Sequence, residues 1–134
     1  MPMMMKAAVF VAPGRIEIAD KPIPDVGPND ALVRITTTTI CGTDVHILKG
    51  EYPVAKGLTV GHEPVGIIEK LGSAVTGYTE GQRVITGAIC PSFTSYACQD
   101  GSPSQDGGYL VASGQCGNHS YKAVSYTHLR AHET

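Results

Sequence analysis

Short apolar and β-branched runs, each closed by glycine or proline, are what most restricts the fold of this 134-residue chain. Lys6 to Val11 is one such run and stops at Pro13-Gly14. Arg15 to Asp20 alternates Ile16 and Ile18 with charged residues, the period of a half-buried strand. Pro22, Pro24, Gly27 and Pro28 then break regular structure. Ala31 to Thr39 joins Leu32, Val33 and Ile35 to a run of threonines, which suits a pleated strand. Val65 to Leu71 and Gln82 to Thr86 read as further strands, with turns at Gly72 and at Glu80-Gly81. A short helix through Val45, His46, Ile47 and Leu48 is expected between them, capped by Thr43 or Asp44 and ended by Gly50. From Pro91 to Gly117 the composition predicts a long loop with one strand over Tyr109 to Val111. The 16 glycines and 9 prolines fit a turn-rich, mainly β protein and fall short of low-complexity composition.

Composition excludes several classes of function. A formal net charge of -2 offers no electrostatic footprint for nucleic acid or an anionic membrane. No apolar run approaches the ~20 residues that span a bilayer. The start, Met1-Pro2-Met3-Met4-Met5-Lys6, lacks the features of a secretory leader. Cys41, Cys90, Cys98 and Cys116 are too few and too irregularly spaced for a secreted disulfide framework. A cytoplasmic protein with free thiols is expected, at least one of them a metal ligand.

Two clusters carry the chemistry: Cys41-Gly42-Thr43-Asp44-Val45-His46 and Gly61-His62-Glu63. Thiolate, imidazole and carboxylate are all zinc ligands, and a mixed set of three is typical of a catalytic rather than a structural site. A lone cysteine is more often a small buried apolar residue, and a lone histidine a surface one. Here the surroundings raise both. Gly61 permits a tight corner before His62, and Gly66 permits close approach beyond it. Asp44 could accept the second ring proton of His62, as a carboxylate behind a zinc-bound imidazole normally does.

These residues carry a resemblance. Gly61-His62-Glu63-Pro64-Val65-Gly66, followed by Gly72 and Val75, resembles the zinc alcohol dehydrogenase signature of the medium-chain dehydrogenase/reductase superfamily. Cys41-Gly42-Thr43-Asp44 with His46 resembles its first-ligand segment, and Lys6 to Val11 and Gly81-x-Arg83-Val84 extend the likeness. The resemblance implies that residues 1–122 are the N-terminal part of a GroES-like catalytic domain, a partly closed β barrel that is incomplete here, with the Rossmann domain absent. It implies Cys41 and His62 as zinc ligands, Glu63 as an alternate ligand, and Asp44 behind His62. Thr43 would take the alcohol proton, and His46 would pass it toward solvent through the cofactor ribose. The implied reaction moves a hydride between a primary or secondary alcohol, or a polyol, and NAD or NADP. Its partners would be a small alcohol and its aldehyde or ketone, with the full-length enzyme a homotetramer or homodimer.

The chain also departs from the family pattern. Ser92 to Cys98 and Asp106 stand where relatives carry the cysteines of a second, structural zinc, so one catalytic zinc and no structural zinc are expected. No residue after Glu63 stands where the third ligand of the catalytic zinc would fall, and Cys90, Cys98 and Cys116 offer only their chemistry. No Gly-x-Gly-x-x-Gly follows a strand. Residues 123–134 break with what precedes them and resemble a translated sequencing adapter, an alternative being a helical metal pair at His128 and His132. The isolated chain is therefore expected to be inactive. Two other classes fit these residues less well. A zinc-independent quinone or enoyl reductase of the same superfamily usually lacks the Cys41-type and His62-type ligands. A non-enzymatic GroES-like co-chaperone needs neither cluster.

Overall fold

The computed structural model describes residue 1 and residues 3–86 and 96–102. Strands β1 (Met4–Ala12) and β2 (Arg15–Pro22) form an antiparallel hairpin closed at Pro13-Gly14. Strands β3 (Ala31–Thr38), β4 (Pro64–Leu71) and β5 (Arg83–Ile85) form a second, antiparallel sheet in that order. Helix α1 (Gly42–Lys49) joins β3 to the segment before β4, and a four-residue helix α2 (Tyr96–Gln99) follows. Among the described residues the strands do not close into a barrel. No described helix is long and apolar enough to cross a membrane.

Alternation sets what β3, β4 and β5 bury, while β2 buries no residue and its Ile18 is exposed. Ala31 and Val33 of β3, Ile68 of β4 and Val84 of β5 make one apolar cluster, with Ile35, Leu71 and Tyr78 packed on it. In the hairpin, Ala7, Val9 and Phe10 of β1 turn inward. The two sheets are linked by residues 57–60, which run beside β1. Phe10 N–H donates to Leu58 O, Gly57 N–H to Phe10 O and Val60 N–H to Ala8 O, and Val9 and Thr59 form an isolated antiparallel bridge. Lys21 of β2 braces the same segment, its Nζ donating to Gly57 O at 2.6 Å and to Thr59 Oγ1 at 2.7 Å. Partial burial lowers the Lys21 pKa from its ordinary value.

The structure corrects two local expectations. Neither Thr43 nor Asp44 caps α1. The cap is Cys41, with extended backbone, and Asp44 is the third helical residue, its Oδ2 accepting Cys41 N–H at 2.9 Å. Capping preferences favour Asp, Ser and Thr at the cap itself, but a carboxylate one turn in satisfies the same free N–H group. The expected loop from Pro91 is also interrupted, because Tyr96–Gln99 is helical. The strand expected over Tyr109 to Val111 lies outside the described residues.

A cavity of about 450 Å³ separates β1 from β3, lined mainly by apolar residues such as Met5, Ala7, Ile23, Leu32 and Ile35. None of the residues of the two chemical clusters lines it. The chemistry sits elsewhere, at the ends of β3 and β4.

Candidate metal centre

Sheet register brings the two clusters together. Thr38 at the end of β3 pairs with Pro64 at the start of β4. Three residues beyond Thr38 the chain reaches Cys41, and two residues before Pro64 it reaches His62, so antiparallel pairing places both on the same end of the sheet. Gly61 makes the corner before His62 with φ +109, a conformation that side-chain-bearing residues rarely adopt. Gly66 lets β3 approach, since an added Cβ would lie 2.4 Å from Arg34 O and 2.6 Å from Val33 Cγ1.

Among the described residues, Cys41, His62 and Glu63 form a group whose possible ligand atoms all lie within 4.8 Å of one another. His62 Nε2 lies 4.0 Å from Glu63 Oε1. His62 Nδ1 lies 3.6 Å from Asp44 Oδ1, both side chains being about one-tenth exposed. That oxygen of Asp44 is buried and has no hydrogen-bond partner among the described residues. Thr39 Oγ1 donates to Glu63 Oε2, and Thr38 Oγ1 donates to Glu63 O at 3.4 Å. The Thr39 hydrogen bond is the main cause holding the Glu63 carboxyl below its ordinary pKa; partial desolvation opposes it, while the Cys41 thiol and the His62 ring lower it further. The Cys41 thiol also lies 3.6 Å from Thr43 Oγ1, to which it donates. His46 stands three residues on from Thr43 along α1, on the same helix face, and its Nδ1 meets Glu51 Oε2.

These residues fit a zinc ion. Zinc–ligand bonds of about 2.0–2.3 Å put tetrahedral donor atoms about 3.3–3.6 Å apart, so the observed spread needs closure of only about 1 Å. The donor set is one sulfur, one nitrogen and one oxygen, and the orphaned Asp44 oxygen faces the ring nitrogen turned away from Glu63. Every site residue expected from the sequence, Cys41, Thr43, Asp44, His46, His62 and Glu63, lies among the described residues. Cys98 is on α2, while Cys90, Asp106, Cys116 and residues 123–134 lie outside them. Sequence reasoning missed Thr39 and Glu51. Thr39 could have been found from the pairing of the Ala31–Thr39 run with Val65–Leu71. Glu51 could have been found from its place directly after the helix-ending Gly50.

Comparison with known proteins identifies relatives of the whole domain. Residues 27–131 match the family described as the alcohol dehydrogenase GroES-like domain. An alcohol dehydrogenase from Cupriavidus necator is 87% identical over 122 residues, which cover 91% of this chain and 33% of the relative. The chain thus spans about a third of the length of that curated relative. Among solved structures, zinc dependent alcohol dehydrogenase 2 from Streptococcus pneumonia, in its apo form, is 36% identical with a TM-score of 0.69, covering 78% of this chain and 30% of that one. Acetophenone reductase from Geotrichum candidum in complex with NAD is 27% identical with a TM-score of 0.72, covering 80% of this chain and 32% of that one. With a family match over most of its length, the chain belongs to the alcohol dehydrogenase GroES-like domain family.

Proposed function

We propose that this chain is the metal-holding and alcohol-binding part of a zinc-dependent alcohol dehydrogenase, which moves a hydride between a primary or secondary alcohol, or a polyol, and NAD or NADP. The observation that carries this reading is the convergence of Cys41, His62 and Glu63 at the paired ends of β3 and β4, with Asp44 behind His62. The names of the zinc-dependent and NAD-bound relatives support it.

Cys41 and His62 would hold the ion, with Glu63 able to join them. Zinc bound there supplies Lewis acidity that lowers the pKa of an alcohol hydroxyl. The chain's own residues do the rest. Asp44 orients the His62 ring so that the nitrogen facing Glu63 is the one presented to the metal. The Thr43 hydroxyl, which accepts from the Cys41 thiol, would take the alcohol proton and hand its own toward His46. His46 releases that proton to water.

The chain spans about a third of the length of its curated relative, and the 134-residue chain alone is proposed to bind metal without turnover. Residues 1–122 are proposed as the functional part and 123–134 as an unrelated tail. Titration of the purified chain with Co²⁺ is the direct test. A thiolate-to-cobalt absorption band that disappears in Cys41→Ser and His62→Ala supports the metal centre. No such band in the wild type would refute it. Alcohol-dependent reduction of a nicotinamide cofactor by the 134-residue chain would refute the proposed inactivity.

A further inference from the structure

We propose that Glu51 is a positioning residue that keeps neutral His46 in its Nδ1–H tautomer, leaving Nε2 as the nitrogen that accepts a proton. The inference rests on the proton-relay reading of Thr43 and His46 for its functional meaning. The geometry itself does not depend on that reading.

The contact is built by the end of the helix. Gly50 closes α1 in the left-handed region at φ +78, and its N–H donates to Ile47 O at 3.0 Å. That turn folds the chain back over the last helical turn. Glu51 N–H then donates to His46 O at 2.9 Å, and Tyr52 N–H reaches the same carbonyl at 3.3 Å. The backbone of Glu51 is thereby pinned to the backbone of His46, and its carboxylate meets the ring at Nδ1. The turn has no room for another residue. A Cβ at Gly50 would lie 2.9 Å from Pro13 Cγ, in a conformation that already disfavours one.

An ionised carboxylate only accepts hydrogen bonds, so the His46 nitrogen facing it must carry a proton. In a neutral imidazole the other nitrogen is then the acceptor, and the hydrogen bond made by one nitrogen decides the role of its partner. Free imidazole side chains favour the opposite tautomer, with the proton on Nε2, which cannot accept there. Glu51 thus converts His46 from a ring that must first rearrange into one ready to receive. When Nε2 takes a proton, the ring becomes imidazolium with Nδ1–H still facing Glu51. Loss of the Nε2 proton to water restores the starting state.

The test is ¹⁵N NMR of the 134-residue chain with labelled histidines, at a pH where His46 is neutral, its signals identified by comparison with His46→Gln. The expected result is a pyrrole-type Nδ1 and a pyridine-type Nε2 at His46. Glu51→Ala should reverse the two, and Glu51→Gln, whose amide can donate as well as accept, should give a mixture. The Glu51 side chain is about half exposed, so neither change should unfold the chain. Backbone amide signals of Ile47 and Gly50 report whether α1 persists, and should either variant lose them the other supplies the reading. A wild-type His46 protonated on Nε2, or a Glu51→Ala variant that keeps the Nδ1–H form, would overturn the proposal. Neither readout needs zinc, cofactor or turnover. Failure of the cobalt titration would therefore sink the dehydrogenase reading while leaving this one standing, and the reverse also holds.

Discussion

Asp44 faces His62 across 3.6 Å with one carboxylate oxygen, while the other accepts the N–H of Cys41 at 2.9 Å. One carboxylate therefore touches both residues that would hold the ion. Under the proposed zinc reading it would orient the His62 ring, and it holds the backbone N–H of Cys41.

Asp44→Ala should weaken Co²⁺ binding about 10–100-fold, the usual loss when the group behind a metal-bound histidine is removed. Asp44→Asn should lose less, because its amide oxygen can still accept one of the two N–H groups. Competition against a chelator of known affinity measures both.

Ile47 is the fully buried residue of α1. Ile47→Ala should cost about 2–5 kcal/mol, read as a lower urea midpoint. Because the same helix carries Thr43 and His46, the variant should also loosen the His46–Glu51 contact.

Gly66→Ala should destabilise the chain by about 1–3 kcal/mol, since the new methyl meets the Arg34 carbonyl in the neighbouring strand. A backbone oxygen held in a ladder cannot step aside as a side-chain end can. Urea denaturation of the variant against wild type checks this, and an unchanged midpoint would show that β3 and β4 are farther apart than described.

Lys21 gives a pH dependence with a definite sign. Its folded-state pKa lies below its ordinary value, so the folded chain holds this proton less tightly than the unfolded one. Below the folded-state pKa both states are protonated and Lys21 adds no slope. Between that value and the ordinary lysine value of about 10.4, the unfolded state binds more protons and stability rises with pH. Relative to Lys21→Met, wild type should therefore gain stability across that alkaline window. Urea midpoints measured from neutral pH upward in both proteins test it, and parallel curves would contradict it.

Strands β3, β4 and β5 were legible because each buries one face, whereas in β2 the alternation holds but Ile18 is exposed. Ala31, Val33 and Ile35 alternate inward, and Pro13-Gly14 closes the hairpin where a turn was expected. The candidate centre was legible because its ligands lie close to two strand ends, where local sequence motifs and antiparallel pairing work together. The start of α1 was not. Capping preferences point to the residue with the best side chain, and here Cys41 takes the cap while Asp44 serves it from inside. Thr39 and Glu51 escaped for a related reason. Their partners are fixed by strand register and by a left-handed turn, of which the sequence shows only the paired runs and Gly50.

The bridge between Val9 and Thr59 has one more consequence. Residues 57–60 belong by hydrogen bonding to the hairpin, yet two residues after Val60 comes His62, at the mouth of the other sheet. An ion clasping His62 to Cys41 would tie the ends of β3 and β4 together and hold the outlet of the segment that hydrogen-bonds the hairpin. Its binding energy would then become folding energy, about 2.7 kcal/mol at a free concentration one hundred times its dissociation constant. The thermal stability of the whole fold should climb with added zinc and fall with a chelator, making the candidate metal centre also a fastener of the scaffold that carries it.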